Sequence, residues 1–154
     1  MGWRLLSSAP LNAEGDEVSY HRHRIASILP EQEDYLENRA YPAEYGLEFL
    51  HAVSATKGCY VGQEVVARSR SRGTLHRLLH HVAAEADLPS AGTAIMLGER
   101  EVGTLTTAVQ AEGLAVLRLD AVEKSQRGEG GLMLANGGEA LPIKVRRPDW
   151  MTST

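Results

Sequence analysis

The hydrophobic pattern of the chain changes once, close to residue 73. From Thr74 onward, six short runs rich in Leu, Val, Ile and Thr follow one another: TLHRLLHHV, TAIML, EVGTLTTAV, LAVLRLD, GLMLA and LPIKVRR. Glycine or polar segments separate them: PSAG, GER, QAEG, EKSQRGEGG and NGGE. Short strands punctuated in this way predict a small all-β barrel or sandwich. Upstream the pattern is mixed. GWRLLSS alternates as a strand does, with a turn at Asn12–Asp16. SYHRHRIASIL reads as helix ending before Pro30, and the acidic EQEDYLEN as loop. YPAEYGLEFLHAVSAT fits either a short helix or irregular chain followed by a strand. QEVVARSRS holds good helix formers, with Val65, Val66 and Ser69 on one face and Gly73 placed as a C-cap. The pattern therefore predicts an α+β chain with a boundary near Gly73: residues 1–72 mixed α/β, residues 73–150 all-β.

Length and composition fit this picture. A chain of 154 residues with 43% apolar and 23% charged residues is globular rather than disordered. No run approaches the ~20 apolar residues of a membrane helix. The opening residues lack the apolar core of a secretory signal and the acid-poor character of a transit peptide. The formal net charge of −4 gives no whole-chain case for DNA or membrane binding. The charge is uneven, however. Residues 57–77 hold five basic side chains (Lys57, Arg68, Arg70, Arg72, Arg77) against Glu64, a net of +4, whereas residues 1–56 sum to −5 and residues 78–154 to −3. A solvated helix face produces the same concentration of charge.

The cationic stretch begins at KGCYVGQE, residues 57–64, which contains the one cysteine of the chain. A single cysteine excludes an internal disulfide framework and a self-contained iron–sulfur cluster, which usually takes four thiolates. A free thiol suits a reducing compartment. With a helix starting near Gly62, Cys59 sits ahead of its N-terminus, where unpaired N–H groups and the macrodipole favour thiolate; Lys57 acts in the same sense. Gly58 and Gly62 permit close approach of a ligand or of backbone. The same residues also suit an inert cysteine buried in a turn. Glu64 is explained equally by the helix dipole, and Tyr60 by core packing or by stacking on a flat ligand. The histidines do not form a metal set. His76 and His80 on a strand lie some 13 Å apart by rise, and His21 and His23 diverge on a helix. RSRSRG (68–73) could grip phosphates or carboxylates, but is too short for an arginine-rich RNA motif. No phosphate loop, dinucleotide fingerprint or GxSxG elbow is present.

KGCYVGQEVVAR resembles the signature of the YgfZ family of folate-binding proteins, relatives of the glycine cleavage T-protein. The surroundings agree: YHRHRI and Pro30 upstream, YPAE and HAVSATKGCY leading in, VGTLTTA and GLAVLRLD in the β part, and RRPDW at the end. The resemblance spans Trp3 to Trp150. It implies the C-terminal part of an aminomethyltransferase-like fold, followed by a small antiparallel barrel of six strands. It implies tetrahydrofolate as cofactor and an accessory role toward iron–sulfur proteins, including those that thiolate tRNA. It implies a bacterial cytoplasmic location, or a mitochondrial matrix one by analogy with a mitochondrial relative. Carried onto this chain, Cys59 becomes the functional thiol and Lys57 its partner. Tyr60, Gly62, Gln63 and Glu64 fall to the cofactor, together with Arg68, Glu44 and Arg24.

The chain also departs from the family pattern. Members are about twice as long, and their N-terminal half supplies most of the folate cavity. Many read Arg-Ile-Glu-Ala-Gly-Ile-Pro where this chain has RIASILP, so a pterin-contacting glutamate is Ala26 here and a glycine is Ile28. Ala55 replaces a usual aromatic. Two alternatives follow: a tetrahydrofolate-dependent one-carbon transferase of the T-protein kind, and a C-terminal fragment that associates with a separate N-terminal half.

Overall fold

Asp16 opens the first helix because its side chain accepts a 2.6 Å hydrogen bond from the Ser19 amide, satisfying an orphan N–H of the first turn. The computed structural model describes residues 7–10, 14–36, 40–54, 56–72, 75–136 and 139–151, with only the backbone of 69–72 and 136. Helix α1 runs Glu17–Ala26. It closes through paired bonds, Ile28 N–H to Ile25 O at 3.0 Å and Leu29 N–H to Arg24 O at 2.9 Å. This terminator turns on a left-handed residue, normally glycine. Here it is Ile28, at φ 53° and fully buried. The backbone strain of order 1–2 kcal/mol is offset by burying the whole side chain against Ile25, Tyr45, Leu79, Leu114 and Val116.

Two 3-10 helices follow, Gln32–Asp34 and Pro42–Tyr45, then helix α2 at Gln63–Arg72. The strands are β1 Arg77–Ala83, β2 Ala94–Leu97, β3 Arg100–Val109, β4 Glu112–Arg118, β5 Leu132–Asn136, β6 Glu139–Pro142 and β7 Lys144–Arg146. Helix α3, Leu119–Gln126, lies between β4 and β5. All neighbouring strands pair antiparallel, in the order β6-β5-β2-β3-β4-β1-β7.

The strand count among the described residues is therefore seven, not six. The run LPIKVRR was expected as one strand. It divides at Ile143, whose N–H bonds Leu132 O. The residues before Ile143 pair with β5, and those after it with β1. The two edges of the sheet are thus consecutive in sequence, and the sheet curls into a barrel around them. EKSQRGEGG was expected as a turn; its first residues instead complete α3, which buries Ala121 and Val122 in the barrel core. The strand expected at 2–8 lies outside the described residues apart from Ser7 and Ser8, which form no strand. Gly73 and Ala55 also lie outside them.

Two cores share the wall formed by β1 and β4. Val82, Ala115 and Leu117 face inward with Ile95, Val102, Leu105, Leu132 and Leu134. Leu79, Leu114 and Val116 face outward against Ile25, Ile28 and Tyr45. Both faces of these strands are covered, which is why RLLHHVA and LAVLR read as continuous rather than alternating runs. Gly103 and Gly113 permit the close pairing of β3 with β4. A Cβ at Gly103 would collide with Val116 O, and one at Gly113 with Thr107 O.

A buried polar clamp fastens the first segment to the barrel. In β3 the register slips between Leu105 and Thr107, leaving Thr106 as the extra residue of a bulge. Successive strand residues normally face opposite ways. The bulge lets both hydroxyls reach Asp34 Oδ1, from Thr106 at 2.7 Å and from Thr107 at 2.6 Å. Asp34 Oδ2 accepts from Arg24 Nη1 at 2.5 Å. Asp34 is fully buried and Arg24 nearly so. Two C-terminal bonds complete the attachment: Arg146 Nη2 donates to Ala26 O at 2.7 Å, and Trp150 Nε1 to Ser27 O at 3.0 Å.

Candidate functional site

Ser54 begins the local structure of the cysteine loop. Its Oγ accepts from the amides of Thr56 at 3.4 Å and Lys57 at 3.2 Å, folding the chain into a tight side-chain turn. Gly62, at φ 89°, supplies the left-handed step that launches α2. Gln63 N–H returns to Tyr60 O at 3.2 Å, and Val66 N–H to Gly62 O at 3.1 Å. Cys59 therefore stands where the spacing placed it, ahead of the first turn of α2. It is exposed and free, not an inert cysteine in the core. Lys57 is exposed, and its Nζ lies 4.6 Å above the centre of the half-buried Tyr60 ring. Tyr60 carries a cation on its face.

The remaining predicted residues divide. Gln63 is half-buried at the start of α2. Glu64 and Arg68 are both exposed and pair across one helical turn at 2.6 Å. A surface pair of this kind contributes only about 0.3–0.5 kcal/mol. Glu44 lies in the second 3-10 helix, half-buried; burial pushes its carboxyl above the ordinary range, while Arg77 and His76 pull it back. Arg24 lies elsewhere, in the buried clamp. It donates to His21 Nδ1, Leu29 O, Asp34, Glu33 Oε1 and Thr107 Oγ1. Those five bonds match the five N–H donors of a guanidinium. Asp34, Thr106 and Thr107 are absent from the sequence-based assignment. Asp34 sits in what reads as acidic loop, and adjacent threonines in a strand pattern give no signal of a bulge.

His21, Glu31 and Glu33 bring ligand-type atoms within 4.8 Å of one another. The Arg24 guanidinium already lies among them, 3.0 Å from His21 Nδ1 and 2.5 Å from Glu33. A fixed positive charge occupies the place a cation would take. The described residues line two clefts among others. One, of about 490 Å³, is lined by Glu33, Leu88, Thr106, Thr107 and Gln110; the other, of about 260 Å³, lies between Ser27, Leu50, Arg146 and Trp150. Neither is lined by residues of the cysteine loop or α2.

Residues 60–153 match the family described as CAF17, C-terminal beta-barrel domain. The chain belongs to the YgfZ/CAF17 family. Among its YgfZ/CAF17 relatives is the iron-sulfur cluster assembly factor IBA57, mitochondrial, of Homo sapiens. That protein is 33% identical over 163 residues, covering 97% of this chain and 44% of the relative. The tRNA-modifying protein YgfZ of Aliivibrio fischeri (strain MJ11) is 37% identical over 132 residues, covering 79% of this chain and 41% of the relative. An IBA57 homolog, mitochondrial, of Neurospora crassa is 28% identical, covering 88% of the chain and 34% of the relative. The chain spans less than half the length of these relatives. YgfZ/CAF17 relatives thus occur under both bacterial and mitochondrial names. Among the described residues, no helix is long and apolar enough to cross a membrane.

Proposed function

We propose that the chain is an accessory factor for the assembly or maintenance of iron–sulfur proteins, tRNA-modifying enzymes among them, with Cys59 as its working thiol. The observation that carries this is the free, exposed Cys59, held on a defined turn ahead of α2, in a family whose named relatives are cluster assembly factors and tRNA-modifying proteins. One thiolate supplies one ligand of a cluster. The client supplies the others, and the cluster is cargo rather than a resident group. In cells that depend on this chain, Cys59→Ser is expected to lower the activity of iron–sulfur enzymes to the level of a deletion, at unchanged protein abundance. Wild-type activity in the Cys59→Ser cells would sink the proposal.

Tetrahydrofolate enters as a proposed ligand through the family resemblance. Among the described residues, the side chains assigned to it line neither of the two clefts described above. Arg24 has its donors engaged, Glu64 and Arg68 satisfy one another, and Gly62 faces solvent. No step of the proposed function is routed through it. A second observation bears on this. None of the described side chains of α2 is buried, and Val61 and Val65 are exposed. A ten-residue helix is marginal without tertiary packing, and among its described residues only Gln63 and Val66 are even partly buried, which favours further polypeptide over α2, completing a cavity there. Calorimetric titration of the isolated chain with tetrahydrofolate is then expected to give no saturable heat. Saturable binding would put the whole cradle within this chain.

A further inference from the structure

The chain leaves β7 as RRPDW, and a 3-10 turn, Asp149–Met151, carries Trp150 to two separate stretches at once. On one side its indole N–H donates to Ser27 O, just past α1, where Arg146 also holds Ala26 O. On the other its ring lies against Gly46, so closely that a Cβ there would stand 2.5 Å from Trp150 Cη2. Phe49 tilts against the same indole at 6.5 Å between centroids, and the buried Met151 reaches Gly46 as well. Gly46 is left-handed at φ 65° and ends the second 3-10 helix. Its carbonyl accepts from the Leu50 amide at 3.2 Å, so it starts the turn 46–51 that leads to Ser54 and the cysteine loop. Helix α2 lies against the same 3-10 helix and buries no described side chain of its own. The inner core of the barrel contains neither Trp150 nor Gly46; Trp150 packs on the outer core. Strand β7 closes on β1 by its own backbone pairing.

We infer that residues 146–151 form a clasp, with Trp150 as its pin, that orders the segment carrying Cys59. Closed, the clasp holds the turn 46–51 and, through the second 3-10 helix, α2. Open, it frees both while the barrel stays shut, because the contacts it breaks belong to the outer core alone. Elements that move are drawn from such low-stability attachments. Its consequence for function rests on Cys59 as the working thiol: the thiol is presented on a segment that the closing strand of the barrel pins from outside. Gly46 is the matching half of the clasp, since only a residue without a Cβ lets the indole seat.

The test is native-state hydrogen exchange on the full chain, comparing the bonded amides of Leu50, Ala52 and Val66 with those of β3 and β4. Trp150→Ala is expected to speed exchange of the first group by about tenfold or more, as deletion of a large packed side chain does, and to leave the β3 and β4 amides at wild-type rates. Gly46→Ala is expected to do the same by pushing the indole off its seat. The two changes are expected to be non-additive, because the added methyl finds room once the ring is gone. Trp150 emission supplies a second reading, taken with Trp3→Phe since the chain has two tryptophans: Gly46→Ala is expected to shift it to the red, toward that of indole in water. Wild-type exchange at Leu50, Ala52 and Val66 in Trp150→Ala overturns the inference, and so does unshifted emission in Gly46→Ala. Equal acceleration in β3 and β4, or loss of the fold in both variants, overturns it too, because the opening is then global. A silent Cys59→Ser in cells would remove the proposed function and leave these exchange rates intact, so the two failures are distinguishable.

Discussion

Asp34→Ala is expected to destabilise the fold by about 3–5 kcal/mol, the usual cost of removing one partner from a buried ion pair. Four donors lose Asp34 as an acceptor at once: the Arg24 guanidinium, the Glu31 amide and the hydroxyls of Thr106 and Thr107, of which Thr106 keeps Leu114 O. The arginine is nearly inaccessible to water, so its charge keeps only Glu33 and the more distant Glu31 as carboxylate partners. Asp34→Asn retains an acceptor for the threonines and loses the charge, and falls between wild type and alanine. Replacing both partners, Arg24→Met with Asp34→Leu, costs less than Asp34→Ala alone, because no charge is left stranded. Urea denaturation followed by circular dichroism checks the series through the midpoint at constant slope. A shift for Asp34→Ala within the range of an ordinary surface substitution, about 0.5 kcal/mol, would show that the clamp is not a main attachment between α1 and the barrel.

Acidification is expected to weaken the barrel through His80. The side chain shares the inward face of β1 with Val82 and is 1% exposed. Burial pulls its pKa from 6.5 down to about 4, while the 2.8 Å contact of Nδ1 with Leu78 O acts the other way and Arg147 adds to the depression. The unfolded chain therefore binds a proton at a higher pH than the folded one. Stability from this group is fully present above pH 6.5, falls as the pH drops toward about 4, and is flat below that. A separation of this size corresponds to roughly 3 kcal/mol. His81 is depressed in the same direction by burial and by Arg146, with Glu112 opposing. Glu44 has the opposite sign: its raised carboxyl gives stability at low pH that is lost as the pH rises. Urea midpoints at pH 7.5 and pH 5 measure the sum. In His80→Leu, most of the loss on acidification is expected to disappear. A pH dependence equal to that of the wild type would place the titration elsewhere.

The β half was legible in the sequence because its strands are bounded by glycine and polar turns. The boundaries failed where local chemistry gave no warning. Helix α3 starts after Arg118, whose side chain makes no capping bond, so nothing marks the end of LAVLR and the start of LDAVEKSQ. Ile143 looks like the middle of one strand; its role as the point where the chain changes partners depends on which strands lie at the two edges, a long-range fact. The cysteine loop was the most legible part. Gly62 requires a left-handed backbone, and Gln63 begins the helix where the pattern placed it. Arg24 shows the limit of carrying a motif position forward. The helix places it in the buried clamp instead of the cysteine loop: its charge is committed to Asp34, 10 residues on, and Asp34 is in turn held by a bulge whose Thr106 and Thr107 lie 72 and 73 residues further along the chain.

The single-residue step at Ile143 sets an order of events during synthesis. β3 and β4 meet across a two-residue connection and can pair as soon as both exist. The closing pair joins Ala83 to Lys144, residues far apart along the chain, and such contacts form late because a long loop must be ordered first. Until β7 emerges, β1 is unpaired on one side at His81, Val82 and Ala83. An open strand of that kind can template the pairing of another chain. The nascent protein is therefore most exposed to misassembly in the interval before β7 pairs with β1.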